Sequence, residues 1–360
     1  MLDVCPAESA TQHRVLGLVQ RHGWNATAFQ TLESGYSYFF PRGDSCVAYA
    51  DTGSAWVAAG APLAAPDALA SACQAFVGAA REAGKRCCFF ATEERLKAAV
   101  GDRLLTLKIG EQPVWDPKDW HGMVAGKRSL REQLRRARAK GVRVRLATTN
   151  ELEAGPTRDA LRRTSERWLA SHGMPAMGFL VRVEPFTFIA HRRYFVAEIA
   201  GRVVAFAAVV PVPARGGWLV EDLVRDPDAP NGTSEVLIDA VMRWAADESC
   251  GWLTLGLAPL AGDVPGWLRL ARYGGAFFYD FRGLHAYKAK FRPKAWTPIY
   301  LSYPATQTAF ASVGDALAAF AGGGLVSFGV RSLLRRYGRW SAAMPAASAG
   351  ASTSSAVTIK

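Results

Sequence analysis

Two acids and an arginine stand together in Glu221-Asp222-Leu223-Val224-Arg225. A connection through Pro227 and Pro230 follows, and then Asn231-Gly232-Thr233-Ser234-Glu235. A strand that ends in carboxylates offers groups able to hold an ammonium or take a proton from a hydroxyl. A helix opening at Thr233 or Ser234 presents unpaired N–H groups to a phosphate, a carboxylate or an ester oxygen. Asn231, Thr233 and Ser234 serve equally as ordinary helix caps, and Asp222 with Arg225 as an ion pair at a strand end. A second stretch, Leu255-Gly256-Leu257-Ala258-Pro259-Leu260, stops a strand beside that helix, where open α/β sheets place their ligand crevice. A third, Phe277 to Phe291, is aromatic. Core packing explains its rings but not Lys288 and Lys290.

Other chemistries find little support. The six cysteines form no C-x-x-C pair, which predicts reduced, buried thiols. The six histidines are scattered without an H-x-x-x-H pair, so no metal is expected. No Walker loop, G-x-S-x-G elbow or G-x-G-x-x-G fingerprint occurs. The first residues predict no secretory leader.

The elements that must position these residues show a repeat. A helix with Val15, Leu18 and Val19 on one face opens the chain, and Gly23 stops it. Strands Cys46–Ala50 and Ala55–Ala59 flank an Asp51-Thr52-Gly53-Ser54 turn. A helix from Asp67 to Glu82 and a strand Cys87–Ala91 come next. The same order recurs as strands Val203–Val210 and Trp218–Val224, a helix Ser234–Glu248 and a strand Trp252–Leu257. Trp56 to Phe90 and Trp218 to Trp252 both span 34 residues. This predicts an α/β (α+β) chain built by tandem duplication. The expected division is 1–110, a connector 111–145, 146–303 carrying the site, C-terminal helices in 304–340 and a disordered 341–360.

Lys and Arg number 43 against 31 Asp and Glu, a net charge of +12, which suggests an anionic partner. Nine basic residues and one acid, Glu132, fall between Lys127 and Arg145. Leu130, Leu134 and Ala137 make a narrow apolar stripe there. A solvated connector and a phosphate-binding helix both fit. Near the C-terminus, Arg331, Arg335, Arg336 and Arg339 share an arc of about 140° at 100° per residue. Val330, Leu333, Leu334 and Trp340 lie opposite. That pattern suits a helix lying in an anionic membrane surface, or one docked on the protein itself. Phe310–Val330, interrupted by Asp315 and three glycines, reads as surface-associated rather than spanning.

The order Asp222-x-x-Arg225, Asn231-Gly232-Thr233, Leu255–Leu260, Leu284–Phe291 and Trp296-x-x-x-Tyr300-Leu301 resembles the catalytic domain of the phosphatidylglycerol lysyltransferases, also called lysyl-phosphatidylglycerol synthases. So do Gly126–Gly141, with Arg135-Arg136-Ala137-Arg138, and His22-Gly23-Trp24-Asn25 with Phe29. The resemblance covers roughly residues 15–303, without the flippase that often precedes this domain. It implies paired GNAT-type acyltransferase folds and a cofactor-free transfer of an amino acid, lysyl or alanyl, from charged tRNA to the hydroxyl of a membrane lipid, usually phosphatidylglycerol. That places the protein in the cytoplasm, peripheral to the inner face of the membrane.

On that reading Asp222 binds the α-ammonium or acts as base, and Arg225 pairs with a phosphate or orients Asp222. Glu221, Asn231, Gly232, Thr233, Glu235, Gly256, Pro259, Lys288 and Lys290 line the substrates. Lys127, Arg131, Arg135 and Arg138 meet the tRNA, and Arg331, Arg335, Arg336 and Trp340 meet the membrane. Two other readings fit the charge. One is an acyl-CoA-dependent GNAT enzyme, although Asp226 to Thr233 lacks that fold's second loop glycine and carries two acids. The other is a non-catalytic RNA- or membrane-binding protein.

Overall fold

A Ser9–Gln12 capping box starts α1 (Ala10–His22), whose Val15, Leu18 and Val19 are buried as their spacing predicts. The structure is a computed structural model that describes residues 9–41, 43–171, 178–269 and 281–322. β1 (Ser37–Phe39), β2 (Val47–Asp51) and β3 (Ala55–Ala59) form an antiparallel meander. A 3-10 turn at Pro66–Ala68 leads into α2 (Leu69–Glu82), which crosses to β4 (Arg86–Thr92), parallel to β3. α3 (Glu94–Val100) and β5 (Leu104–Trp115) follow.

Next come α4 (Trp120–Ala125), α5 (Arg128–Ala139), β6 (Arg143–Leu146), α6 (Thr149–Glu153) and α7 (Pro156–Ser171). β7 (Arg193–Ile199), β8 (Arg202–Val212) and β9 (Gly217–Arg225) make a second meander. α8 (Thr233–Asp247) returns to β10 (Trp252–Thr254), parallel to β9. The short β11 (Ala258–Pro259), a helix Phe281–Ala289, β12 (Ala295–Pro304) and a helix Ala309–Phe320 complete the described chain.

The duplicated hairpin–helix–strand unit is present, but the equal spacing of 34 is not a shared register. Trp56 lies opposite Cys87, whereas Trp218 lies opposite Leu253. All strands belong to one sheet in the order β1-β2-β3-β4-β12-β5-β10-β9-β8-β7-β6, with β11 on β5. β12 therefore lies between β4 and β5, and a division at residue 110 would cut β5. The halves are also clasped through side chains. Arg215 Nε donates to Trp24 O (2.9 Å), its guanidinium stacks on the Trp24 and Trp252 rings (4.5 Å each), and it pairs with buried Glu93.

α5 and α8 pack on one face of the sheet through Leu130, Leu134, Ala137, Leu237 and Val241, against Val220 and Leu223. α7 packs on the other through Leu161, against Val224 and Phe206. The helix Ala309–Phe320 buries Ala316 and Ala319 on the sheet and ties Asp315 to Arg86. The described part of the expected membrane-surface segment is thus docked on the protein itself, with Phe310 and Leu317 left exposed. Arg331, Arg335, Arg336, Trp340 and the tail 341–360 lie outside the described residues. Among the described residues, no helix is long and apolar enough to cross a membrane.

Candidate active site

The site forms where two parallel strands part. β9 and β10 pair only through Gly217–Leu219 and Trp252–Thr254. The expected strand 252–257 is therefore half as long, because the chain peels away after Thr254 and β11 joins β5 instead. β9 has a bulge at the same level. Val220 faces Val209 and Asp222 faces Ala208, so Glu221 is the extra residue. A bulge re-aims side chains that strict alternation would separate. Here it brings Glu221 and Asp222 into one buried cluster with Glu33 and Arg192.

Arg192 is the cation of that cluster. Its Nε donates to Thr187 O (2.7 Å), Nη1 bonds Glu221 Oε2, and Nη2 lies 3.6 Å from Glu33 Oε1. Three carboxyl groups face one guanidinium, and all four side chains are buried. Both oxygens of Glu33, Oε1 of Glu221, Oδ2 of Asp222 and Nη2 of Arg192 have no hydrogen-bond partner in the described structure. Unpaired buried polar atoms are costly, and their concentration here marks a place built to receive a polar group. Burial, then the Glu221 charge, pushes the Asp222 carboxyl up to about 8, with Arg192 opposing. Glu33 and Glu221 are raised by burial as well, again opposed by Arg192. Asp222 thus holds a proton at neutral pH and is poised to exchange it.

Arg225 is not the partner of Asp222. Three residues apart on a strand, the two point to opposite faces. Asp222 shares the α7 face with Val224, and Arg225 shares the α8 face with Leu223, near Tyr287. Arg192 takes the pairing role expected of Arg225. Among the described residues no carboxylate pairs with Arg225.

Lys288 also departs from expectation. It is 5% exposed, and its ammonium donates to the carbonyls of Leu255 (2.7 Å), Gly256 (2.9 Å) and Leu257 (2.8 Å). Burial pulls its pKa down to about 7. The carbonyls oppose that pull, since only the protonated amine has three hydrogens to share. No donor remains for a substrate phosphate, so Lys288 holds the parted strand in place. Lys290 pairs with Glu235 and covers the Tyr287 ring at 4.4 Å.

The α8 N-terminus is closed on one side. Thr233 Oγ1 donates to Pro230 O (2.7 Å), and Asn231 is exposed. Gly232 has φ +97°, and a Cβ there would lie 3.0 Å from Ala137 Cβ. α5 therefore covers the turn before α8. Gly256, at φ +71°, lies in the peeled segment, and Pro259 pairs with Gly110.

The expected tRNA-binding cations of α5 are mostly tied down. Lys127 Nζ donates to Lys290 O, Arg131 to Ala125 O, and Arg138 pairs with buried Asp239. Arg135 pairs within the helix with Glu132 (2.9 Å) and stays largely exposed. Lys127, Arg131 and Arg138 anchor the helix instead of presenting free charge. Glu33 and Arg192, which complete the buried cluster, escaped the sequence reading. Nothing local marks them, because Glu33 is a lone acid and Arg192 one of two adjacent arginines, both far in sequence from residue 222.

Known proteins resemble this chain in sequence and fold. Residues 16–303 match the family described as phosphatidylglycerol lysyltransferase, C-terminal. The phosphatidylglycerol lysyltransferase of Bacillus subtilis (strain 168) is 25% identical over 315 residues, 82% of this chain and 35% of that protein. This chain thus spans about a third of that relative's length. The C-terminal domain of a protein described as a lysylphosphatidylglycerol synthetase, from Agrobacterium fabrum, superposes with a TM-score of 0.75 at 25% identity, covering 87% of this chain and 98% of that one. L-PGS from Bacillus licheniformis superposes with a TM-score of 0.73 at 20% identity, covering 88% and 97%. The chain belongs to the phosphatidylglycerol lysyltransferase C-terminal family.

Proposed function

We propose that this chain transfers an amino acid from a charged tRNA to the hydroxyl of phosphatidylglycerol, at the cytoplasmic face of the membrane. The observation that carries this reading is the buried Glu33–Arg192–Glu221–Asp222 cluster beside the gap between β9 and β10, in a chain of this family. The cluster has more carboxyl groups than cations, so it suits an aminoacyl ammonium. Glu33, a third carboxyl beyond the strand-end pair, favours the dicationic lysyl group over alanyl.

Asp222 in its ionised form takes the proton of the lipid hydroxyl as the hydroxyl oxygen bonds to the ester carbonyl carbon, and passes that proton on to the departing ribose oxygen. The bond to the ribose oxygen then breaks, and that oxygen leaves with a proton. One ester replaces another, so orientation and charge stabilisation supply the catalysis. Arg225, on the opposite face beside the α8 N-terminus, meets a phosphate of either substrate.

The test is transfer of radiolabelled lysyl-tRNA to phosphatidylglycerol vesicles, with alanyl-tRNA and acetyl-CoA in parallel. Label from lysyl-tRNA in the organic phase is expected. Acetyl-CoA turnover without lipid labelling would replace this reading with the acyl-CoA one. The connection Asp226 to Thr233 argues against that outcome, because it carries two acids and lacks the second glycine of an acyl-CoA pyrophosphate loop.

A further inference from the structure

A groove lies away from the buried cluster, between α7 and the β7–β8 turn. Its volume is about 640 Å³, and its charged walls are Arg145, Arg163, Arg167, Arg202, Glu198 and Asp226. Both carboxylates are already paired, Glu198 with Arg145 Nε (3.0 Å) and Asp226 with Arg167 Nη2 (3.1 Å). Arg163 and Arg202 are exposed and meet no carboxylate among the described residues. Arg167, one helical turn from Arg163, is held by Asp226 (3.1 Å) and Asp228 (2.6 Å), which leaves Arg163 as the uncompensated charge on that helix face.

The basic rim continues beyond the groove. A Cβ on Gly141 would lie 3.5 Å from Ile199 Cγ2, and Ile199 pairs with Arg202, so the end of α5 abuts the β7–β8 turn. Lys140 is exposed there. Arg143, opposite Glu198 in register, spends its hydrogen bonds on the carbonyls of Arg138 and Val142. At the other end, Asp226 directly follows Arg225, so the groove opens where β9 ends. Asp222 lies four residues back, about 13 Å at strand rise.

We propose that this groove seats the sugar-phosphate backbone of the RNA donor, with the free cations Arg163 and Arg202 on its phosphates. The proposal rests on the donor being an RNA and locates its docking surface away from α5, whose charges are largely committed. RNA is favoured over a lipid surface by the separation of charge from grease. Among the described residues, three of the four exposed large apolar side chains, Leu105, Phe310 and Leu317, belong to the other half of the sheet around β5, β12 and the helix Ala309–Phe320, and the fourth, Leu146, stands alone beside Arg145 on β6.

The experiment measures binding of uncharged total tRNA by fluorescence anisotropy between about 0.05 and 0.2 M salt. An Arg163→Gln/Arg202→Gln variant is compared with a charge-matched Arg81→Gln/Arg103→Gln variant, after equal Tm values establish folding. Arg81 and Arg103 are exposed on the first half. The groove variant is expected to weaken binding about tenfold and to lower the salt slope by about 1.4–1.8, for two lost phosphate contacts. The control is expected to match wild type. Equal losses in both variants, no loss in either, or no tRNA binding by wild type would overturn the proposal. So would a groove variant that loses phosphatidylglycerol vesicles and keeps tRNA. Groove-dependent tRNA binding without aminoacyl transfer would sink the enzymatic reading and leave the groove standing. Transfer by a groove variant with wild-type tRNA affinity would sink the groove alone.

Discussion

Asp222 carries the sharpest residue-scale expectations. Its carboxyl is raised to about 8 by burial and by Glu221, so the ionised, proton-accepting form grows as pH rises. Transfer at limiting substrate is therefore expected to climb about tenfold per pH unit below 8 and level off above it, measured as kcat/KM against pH. Asp222→Asn keeps the shape and removes the base. It is expected to lower the rate at least 100-fold and to abolish the pH dependence. The stability sign follows from the same shift. A carboxyl whose folded pKa lies above its unfolded value of about 4 favours the folded state while protonated. That contribution is complete below pH 4 and is lost as pH climbs to 8. Asp222→Asn should gain urea resistance relative to wild type at pH 8.5, and should show no such gain at pH 4. Lys288 predicts the opposite kind of change. Lys288→Met orphans three carbonyls, and a loss of about 2–4 kcal/mol is expected in chemical denaturation, together with loosening of residues 255–257 seen as faster amide exchange.

At the scale of elements, the site depends on two irregularities in otherwise regular strands. The bulge at Glu221 sets two neighbouring acids into one cluster, and the early end of β10 leaves the β10 edge of β9 open beyond Leu219 while β8 still pairs its other edge. Helices and strands were legible from periodicity. The α5 stripe of Leu130, Leu134 and Ala137 is buried as expected, and α8 begins where the Asn-Gly-Thr turn places it. The bulge was not legible, because two adjacent acids followed by two adjacent apolar residues fit either phase of a strand's alternation. The extent of β10 was not legible either. Leu255-Gly256-Leu257 reads as more strand until Lys288, some 30 residues later, takes its carbonyls. Gly232 is the element-scale test. With φ +97° and 3.0 Å of room toward Ala137, Gly232→Ala should cost about 1–3 kcal/mol by thermal or urea unfolding. A cost near zero would mean that α5 does not clamp the turn before α8.

At the scale of the whole molecule, duplication did not produce two separable domains. β12 lies between β4 and β5, pairing with β5 along its whole length. A fragment of residues 1–145 therefore exposes both edges that β12 covers. It is expected to aggregate or to stay without a cooperative transition, whereas the full chain unfolds in a single transition by circular dichroism. Independent folding of 1–145 with native-like exchange protection would contradict this.

The sequence by itself determined the α/β class, the repeated unit, the family and the strand end at Glu221-Asp222, because periodicity and motif order are local properties of the chain. Only the tertiary structure decided that Arg192, and not Arg225, faces Asp222, that Glu33 joins them from the opening segment, and that Lys288 is spent on backbone carbonyls. Those pairings join residues 29 to 189 positions apart. Desolvation, the force that tunes their charges, exists only once the surrounding core has closed over them.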